Sequence, residues 1–93
     1  MQFHLQAYDH PDAAERRAAT RPAHLARARE LKAAGHFLIG GALLSDDGRM
    51  IGSVMIMDFP DEATLRAWLT TEPYVTGGVW DEIKIQLFRV ADV

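Results

Sequence analysis

Ninety-three residues with four histidines and no cysteine leave imidazole, carboxylate, hydroxyl and guanidinium groups to carry any chemistry. His24 has the most unusual setting. It lies in an Ala-, Arg- and Leu-rich stretch of helical character, and Ala28 and Leu31 share its face at helical spacing. That face must meet the rest of the protein, not water. Arg21 and Arg17 fall on the same arc if the helix runs on through Pro22. A lone histidine on an apolar face is ordinarily a hydrogen-bonded core residue. A histidine with two arginines on one buried arc is costly to desolvate unless the groups are partnered or line a cavity. Both readings stand on the residues alone. In the second, His24 acts as general acid or base and Arg21 or Arg17 clamps an anionic group.

Other polar residues have weaker claims. His4 shares a strand face with Gln6 and Tyr8, opposite Phe3 and Leu5, and could line an interior wall between two subunits. His10 sits in a loop, and His36 at a helix end suits the negative C-terminus. The histidine spacing matches no metal motif, and no phosphate-binding glycine loop is present: Gly77-Gly78 reads as a turn. Gly40-Gly41, within a strand, marks a bulge or a close backbone approach. Ser45 and Ser53 have no neighbouring base in sequence, and no Gly-x-Ser-x-Gly elbow exists. No cofactor is expected.

Composition bounds the partners. A formal charge of −3 argues against nucleic acid, which needs a clustered excess of Lys and Arg. The arginines crowd between Arg16 and Arg29, which reads as a solvated helix face. The N-terminus alternates as a strand does and resembles no signal peptide, and no apolar run approaches the ~20 residues of a membrane span. A cytoplasmic protein without membrane contact is expected, and the lack of disulfides fits a reducing compartment. Hydrophobic residues make up 48% of a chain too short to hide them all, so oligomerisation is expected.

The elements that must position these groups read as β-α-β-β-α-β in one domain, residues 1–93. Phe3, Leu5 and Ala7 alternate in the first strand. Asp12, with Glu15 three residues on, has the spacing of a capping box, and the helix it opens ends at Gly35. Pro22 predicts either a kink or two helices. Strands follow over Phe37–Leu44 and Met50–Phe59, joined by a turn at Asp47-Gly48. Pro60 at N1 opens a second helix carrying Leu65, Trp68 and Leu69, Pro73 closes it, and Ile83, Ile85 and Leu87 alternate in the last strand. The strand from Met50 to Met57 is apolar on both faces, so Met55 and Ile56 point to opposite sides. Helices can cover one side; a second copy of the sheet would cover the other, giving a twofold homodimer.

The run Arg21-Pro22-Ala23-His24-Leu25, with Glu72-Pro73-Tyr74-Val75 and Gly77-Gly78, resembles the YCII-related (YciI-like) family over nearly the whole chain. The resemblance implies an α+β fold: a ferredoxin-like βαββαβ sandwich, antiparallel, with helices on one face and dimerisation through the sheet as an α+β barrel. In that family Arg-Pro-x-His-Leu carries the main candidate catalytic histidine, which maps onto His24. A second candidate, commonly aspartate before Pro-Tyr, maps onto Glu72, followed here by Pro73 and Tyr74. Glutamate keeps the carboxylate and adds one methylene. Asp9 ends the first strand, where such chains often carry aspartate, so Asp9 and Glu72 compete as the partner of His24. A carboxylate there would fix which ring nitrogen carries the proton. Tyr74, Arg21, Arg17 and His4 complete the set that could touch a ligand. The implied function is a cofactor-independent lyase or isomerase acting on a small organic molecule through a His–carboxylate pair. The alternative is a non-enzymatic small-molecule binder or dimeric interaction protein of the same fold.

Overall fold

Phe3, Leu5 and Ala7 are buried along β1 (Gln2–Asp9) while their neighbours are not, so the alternating N-terminal sequence becomes a strand with one face on the core. The computed structural model describes residues 1–93. After β1 come α1 (Ala14–Ala33), β2 (Phe37–Leu44), β3 (Met50–Asp58), α2 (Glu62–Leu69), the one-turn α3 (Pro73–Thr76) and β4 (Trp80–Phe88). The strands form one sheet in the order β2-β3-β1-β4, every pair antiparallel. This is the ferredoxin-like βαββαβ arrangement, with α3 added before the last strand. No helix is long and apolar enough to cross a membrane.

Several element ends differ from their sequence-based expectation. Asp12 does not cap α1: Ala13 is the N-cap without a side-chain bond, and the Asp12 carboxylate is taken by Arg16 at 3.2 Å. The arginine one turn on outcompetes the backbone amides for it. Pro22 does not divide α1, which is continuous over twenty residues. Pro22 and Ala18, whose carbonyl loses its helical partner there, are both exposed, so the missing bond lies on the solvent side of the helix. The second helix opens two residues late: its first residue is Glu62, not Pro60, and Asp61 is the cap, its carboxylate accepting the Thr64 amide at 2.7 Å. α2 ends at Leu69 with Thr70 as its C-cap, before Pro73 is reached, and Pro73 instead starts α3, with Glu72 as N-cap.

The two helices cover the same face of the sheet unequally. From α2, Leu65, Trp68 and Leu69 enter the core with Phe3, Leu5, Met57 and Phe59. Of the twenty residues of α1 only Arg17 and Leu31 are buried. Its inward stripe is short or polar, and the space it leaves against β2 and β3 is the cavity described below. Met55 pairs with Leu5 on the helix face, whereas Ile56 pairs with His4 and Ile39 on the uncovered face. That uncovered face is apolar at its β2–β3 end, where Ile39 is 66% exposed. Toward β4 it is polar, with Gln6 beside Lys84 and His4 beside Gln86.

The end of α1 offers a test of local backbone chemistry. Gly35 has φ of +84°; its amide bonds the Lys32 carbonyl, and the His36 amide reaches back to Leu31, the paired bonds of a Schellman stop. Nothing lies within 4 Å of a Cβ added at Gly35, so Gly35→Ala is a pure backbone penalty. A cost of about 1–2 kcal/mol is expected, lowering the thermal midpoint by roughly 4–16 °C in circular-dichroism melts. Gly41→Ala adds the same methyl to open space without a positive φ and should cause no comparable loss.

Candidate active site

The site begins with one buried cation. Arg17, 5% exposed, projects from the first turns of α1 onto the end of the sheet. Asp9 at the end of β1 receives it through two bonds, Nε to Oδ2 at 2.6 Å and Nη2 to Oδ1 at 3.1 Å. Nη2 also donates to the Gly52 carbonyl at 2.8 Å and to Ser53 Oγ at 2.6 Å on β3. Nη1 lies 3.4 Å from the Tyr74 hydroxyl, and the guanidinium carbon stands 4.5 Å from the Tyr74 ring centre. A paired, multiply bonded guanidinium can be buried where an isolated one could not. One side chain thus ties α1 to β1, β3 and α3.

Two turns further along α1, His24 stacks on the same tyrosine, with ring centres 4.0 Å apart and planes 17° from parallel. Its Nδ1 hydrogen-bonds Oε1 of Glu72. Glu72 is 1% exposed, and the same oxygen accepts the Tyr74 amide at 3.2 Å. With an ionised carboxylate, which only accepts, Nδ1 is the donor, and Nε2 of the neutral ring keeps its lone pair. No protein group bonds Nε2. His24 borders a cavity of about 90 Å³ between α1 and the β2–β3 hairpin, shared with Arg17, Arg21, Ser53, Met55 and Tyr74. Burial, the largest influence, pushes the Tyr74 phenol above the usual tyrosine range; Arg17 and Arg21 oppose that shift, and Asp9 and Glu72 add to it.

The structure sorts the sequence candidates into different jobs. Glu72 is the carboxylate against His24; Asp9 is not, because its charge is consumed by Arg17. For the same reason Arg17 cannot clamp a ligand with both edges of its guanidinium, whereas Arg21 is exposed at the cavity mouth and makes no side-chain bond. His4 lies on the opposite face of the sheet, 6.2 Å from the Phe88 ring, and does not reach this cavity. His36 donates to the Asp58 carbonyl at 2.8 Å and stacks on Phe59, which makes it structural. No cluster of three or more His, Asp or Glu side chains suits a metal ion. Ser53 has no neighbouring base in sequence, and its partners, Arg17 and Trp80, lie 36 and 27 residues away. Its small size in an apolar strand, between Gly52 and Val54, was the only available signal.

A ferredoxin-like sandwich with a His–Glu pair at a cavity beneath its first helix places this protein among small α+β domains with a built polar pocket. The chain belongs to the YCII-related domain family, whose sequence model matches residues 1–89. It is 32% identical to Protein YciI of Escherichia coli O6:H1 over 95 aligned positions, covering 96% of this chain and 97% of the relative. It is 30% identical to an uncharacterized protein of Haemophilus influenzae over the same shares. Among solved structures, 5-chloro-2-hydroxyhydroquinone dehydrochlorinase (TftG) of Burkholderia phenoliruptrix, in complex with 2,5-dihydroxybenzoquinone, superposes with a TM-score of 0.87 at 25% identity. That match covers 98% of this chain and 96% of the enzyme. An antibiotic biosynthesis monooxygenase, at TM-score 0.57 and 14% identity over 98% of both chains, shares the fold alone.

Two measurements probe this constellation. Arg17→Met strands the Asp9 carboxylate, which is 7% exposed, and should cost about 3–5 kcal/mol in urea unfolding at neutral pH. Adding Asp9→Asn to that variant should recover part of the loss, since the stranded charge is gone. For Tyr74, the unfolded chain releases the phenol proton near the ordinary value of 10.0, before the folded protein does. Stability contributed by this group is therefore complete below that pH and falls as pH rises above it. In a Tyr8→Phe background the one remaining tyrosine should ionise late by ultraviolet absorbance, and Tyr74→Phe should remove the alkaline loss.

Proposed function

We propose that this protein is an acid–base enzyme of the lyase or isomerase type, with His24 moving a proton on a small organic molecule. One observation carries the reading: the buried Glu72 carboxylate holds His24 by Nδ1, while the ring borders the cavity and Nε2 has no protein partner. Glu72 orients the ring and balances the imidazolium that forms when Nε2 takes a proton. Tyr74 fixes the ring plane by stacking. Arg21, at the mouth, is the cation available to an anionic substituent. Asp9 serves the reaction indirectly by holding Arg17. Proton transfer of this kind needs no cofactor.

The size and lining of the cavity favour a small ring. About 90 Å³ is well below the roughly 300–1,000 Å³ of sites for drug-sized ligands, so a nucleotide does not fit without rearrangement. Leu25, Phe37 and Met55 supply apolar walls. The Burkholderia dehydrochlorinase, similar along the whole chain, supports a hydroxylated quinone or hydroquinone as the substrate class. A second copy seated on the uncovered sheet face, through Ile39, Val54 and Ile56, completes the reading as a homodimer acting in the cytoplasm.

Chlorinated and unchlorinated hydroxyhydroquinones test the proposal through chloride release and through solvent-deuterium incorporation at carbon. Turnover of either kind is expected. His24→Gln should lower it by roughly 10²–10⁴-fold, and Glu72→Gln by roughly tenfold or more, since a neutral amide no longer balances the imidazolium. Binding across the panel with no proton transfer would instead identify a small-molecule binder. Sedimentation at micromolar concentration should give twice the chain mass; a monomer refutes the homodimer.

A further inference from the structure

Ser53 and Tyr74 each keep a hydroxyl proton for which the protein supplies no acceptor, and we propose that they form a donor pair holding a ligand oxygen on which negative charge develops. Their neighbours force the orientation. Guanidinium and indole N–H groups can only donate. Ser53 Oγ receives Arg17 Nη2 at 2.6 Å and Trp80 Nε1 at 3.1 Å, which occupies both of its lone pairs. Its own proton must therefore go to a third partner, and Ser53 Oγ donates to no carbonyl or carboxylate of the chain. Ser53 is 3% exposed and borders the cavity. The Tyr74 oxygen likewise faces a donor, Arg17 Nη1 at 3.4 Å, so its proton is also free. Tyr74 is 1% exposed, and its burial keeps the phenol protonated well into alkaline pH. Buried donors left without acceptors are costly, and a cavity lined by two of them is built for an oxygen acceptor.

Arg17 stands behind both hydroxyls, one on each terminal nitrogen, and its charge favours an oxygen that becomes anionic. His24 borders the same cavity. The substrate class that fits has a carbonyl, or the keto form of a phenol, next to a carbon bearing a proton. The chemistry rests on the acid–base reading of His24; the binding of oxygen does not. Nε2 forms an N–H bond with the proton. The C–H electron pair becomes a carbon–carbon double bond, and the carbonyl π pair moves to oxygen, giving an enolate held by the two O–H groups. Return of the proton to a different carbon gives an isomer. If the carbon next to the deprotonated one carries chloride, the enolate re-forms its carbonyl, its carbon–carbon π pair becomes a double bond to the chlorinated carbon, and chloride leaves with the C–Cl pair, with net loss of HCl and no oxidant or reductant.

The probe is 2,5-dihydroxybenzoquinone, followed by titration and by infrared difference spectra of its carbonyl stretch. In the wild-type protein the bound carbonyl band should move to lower frequency than in water. Ser53→Ala and Tyr74→Phe should each return it toward the value in water and weaken binding on the order of 10- to 100-fold. His24→Gln should leave the band displaced. Ser53→Ala removes an acceptor from Arg17 and Trp80, so Tyr74→Phe, which preserves the ring stack, carries the test if the alanine variant fails to fold. No binding up to millimolar probe, or the same band in wild type and both hydroxyl variants, overturns the donor pair. A displaced band without deuterium incorporation keeps the donor pair and removes the acid–base reading; incorporation with an unmoved band does the reverse.

Discussion

A guanidinium inside a small domain needs several partners at once, and those of Arg17 come from three separate parts of the chain. Asp9 neutralises it, the Gly52 carbonyl and Ser53 hydroxyl satisfy one terminal nitrogen, and Tyr74 packs beneath it. Each partner is useful only where Arg17 holds it. The end of β1, the middle of β3 and the single turn of α3 are therefore fixed relative to α1 by one side chain. Loose packing under α1 would otherwise be a liability, because that helix buries almost no aliphatic surface of its own. Polar anchoring replaces apolar packing on this half of the sandwich, and the unfilled space can persist as a pocket. On the other half, Leu65, Trp68 and Leu69 fill the layer in the ordinary way.

Tyr74 is where the two polar systems meet. Arg17 lies over its ring and His24 stacks on it, while its amide bonds the same Glu72 oxygen that holds the imidazole. Trp80 closes the aromatic group edge-on to both rings and donates to Ser53. Stacked rings with charged edges lose little side-chain entropy for the orientation they gain, since each has only two free torsions. The imidazole is thereby positioned by a carboxylate in its plane and a ring on its face. Neither support touches Nε2.

The sequence carried the fold where period and punctuation agree. β1, β2 and the Gly35 stop lie where alternation and glycine chemistry put them, because those features are local. Errors fell where a side chain had two possible partners. Asp12 prefers Arg16 to the helix amides, and Pro22 is tolerated because its lost bond faces water, a fact about tertiary orientation that no window of sequence contains. Helical spacing places Arg17, Arg21 and His24 on one arc, yet that spacing does not reveal that Asp9 neutralises Arg17 and leaves Arg21 open. Ser53 shows the limit most clearly. Its two donors arrive from distant elements, so nothing near it in the chain marks it as polar machinery.

The length of the Glu72 side chain fits the same geometry. As N-cap of α3 it has an extended backbone, φ −65° and ψ 127°, and its carboxylate must reach the Tyr74 amide and the His24 ring together. An aspartate on this backbone would stop one carbon–carbon bond short, about 1.5 Å. It could still cap the turn, because short side chains suit that role, but it would meet the imidazole only if α3 moved toward α1. That approach is limited by the Tyr74 ring, already in stacking contact with His24. The longer side chain lets the turn stay where the tyrosine needs it and still delivers a buried carboxylate to Nδ1. The reach of Glu72 thus fits the spacing of α1 and α3, where Arg17 and His24 both meet Tyr74.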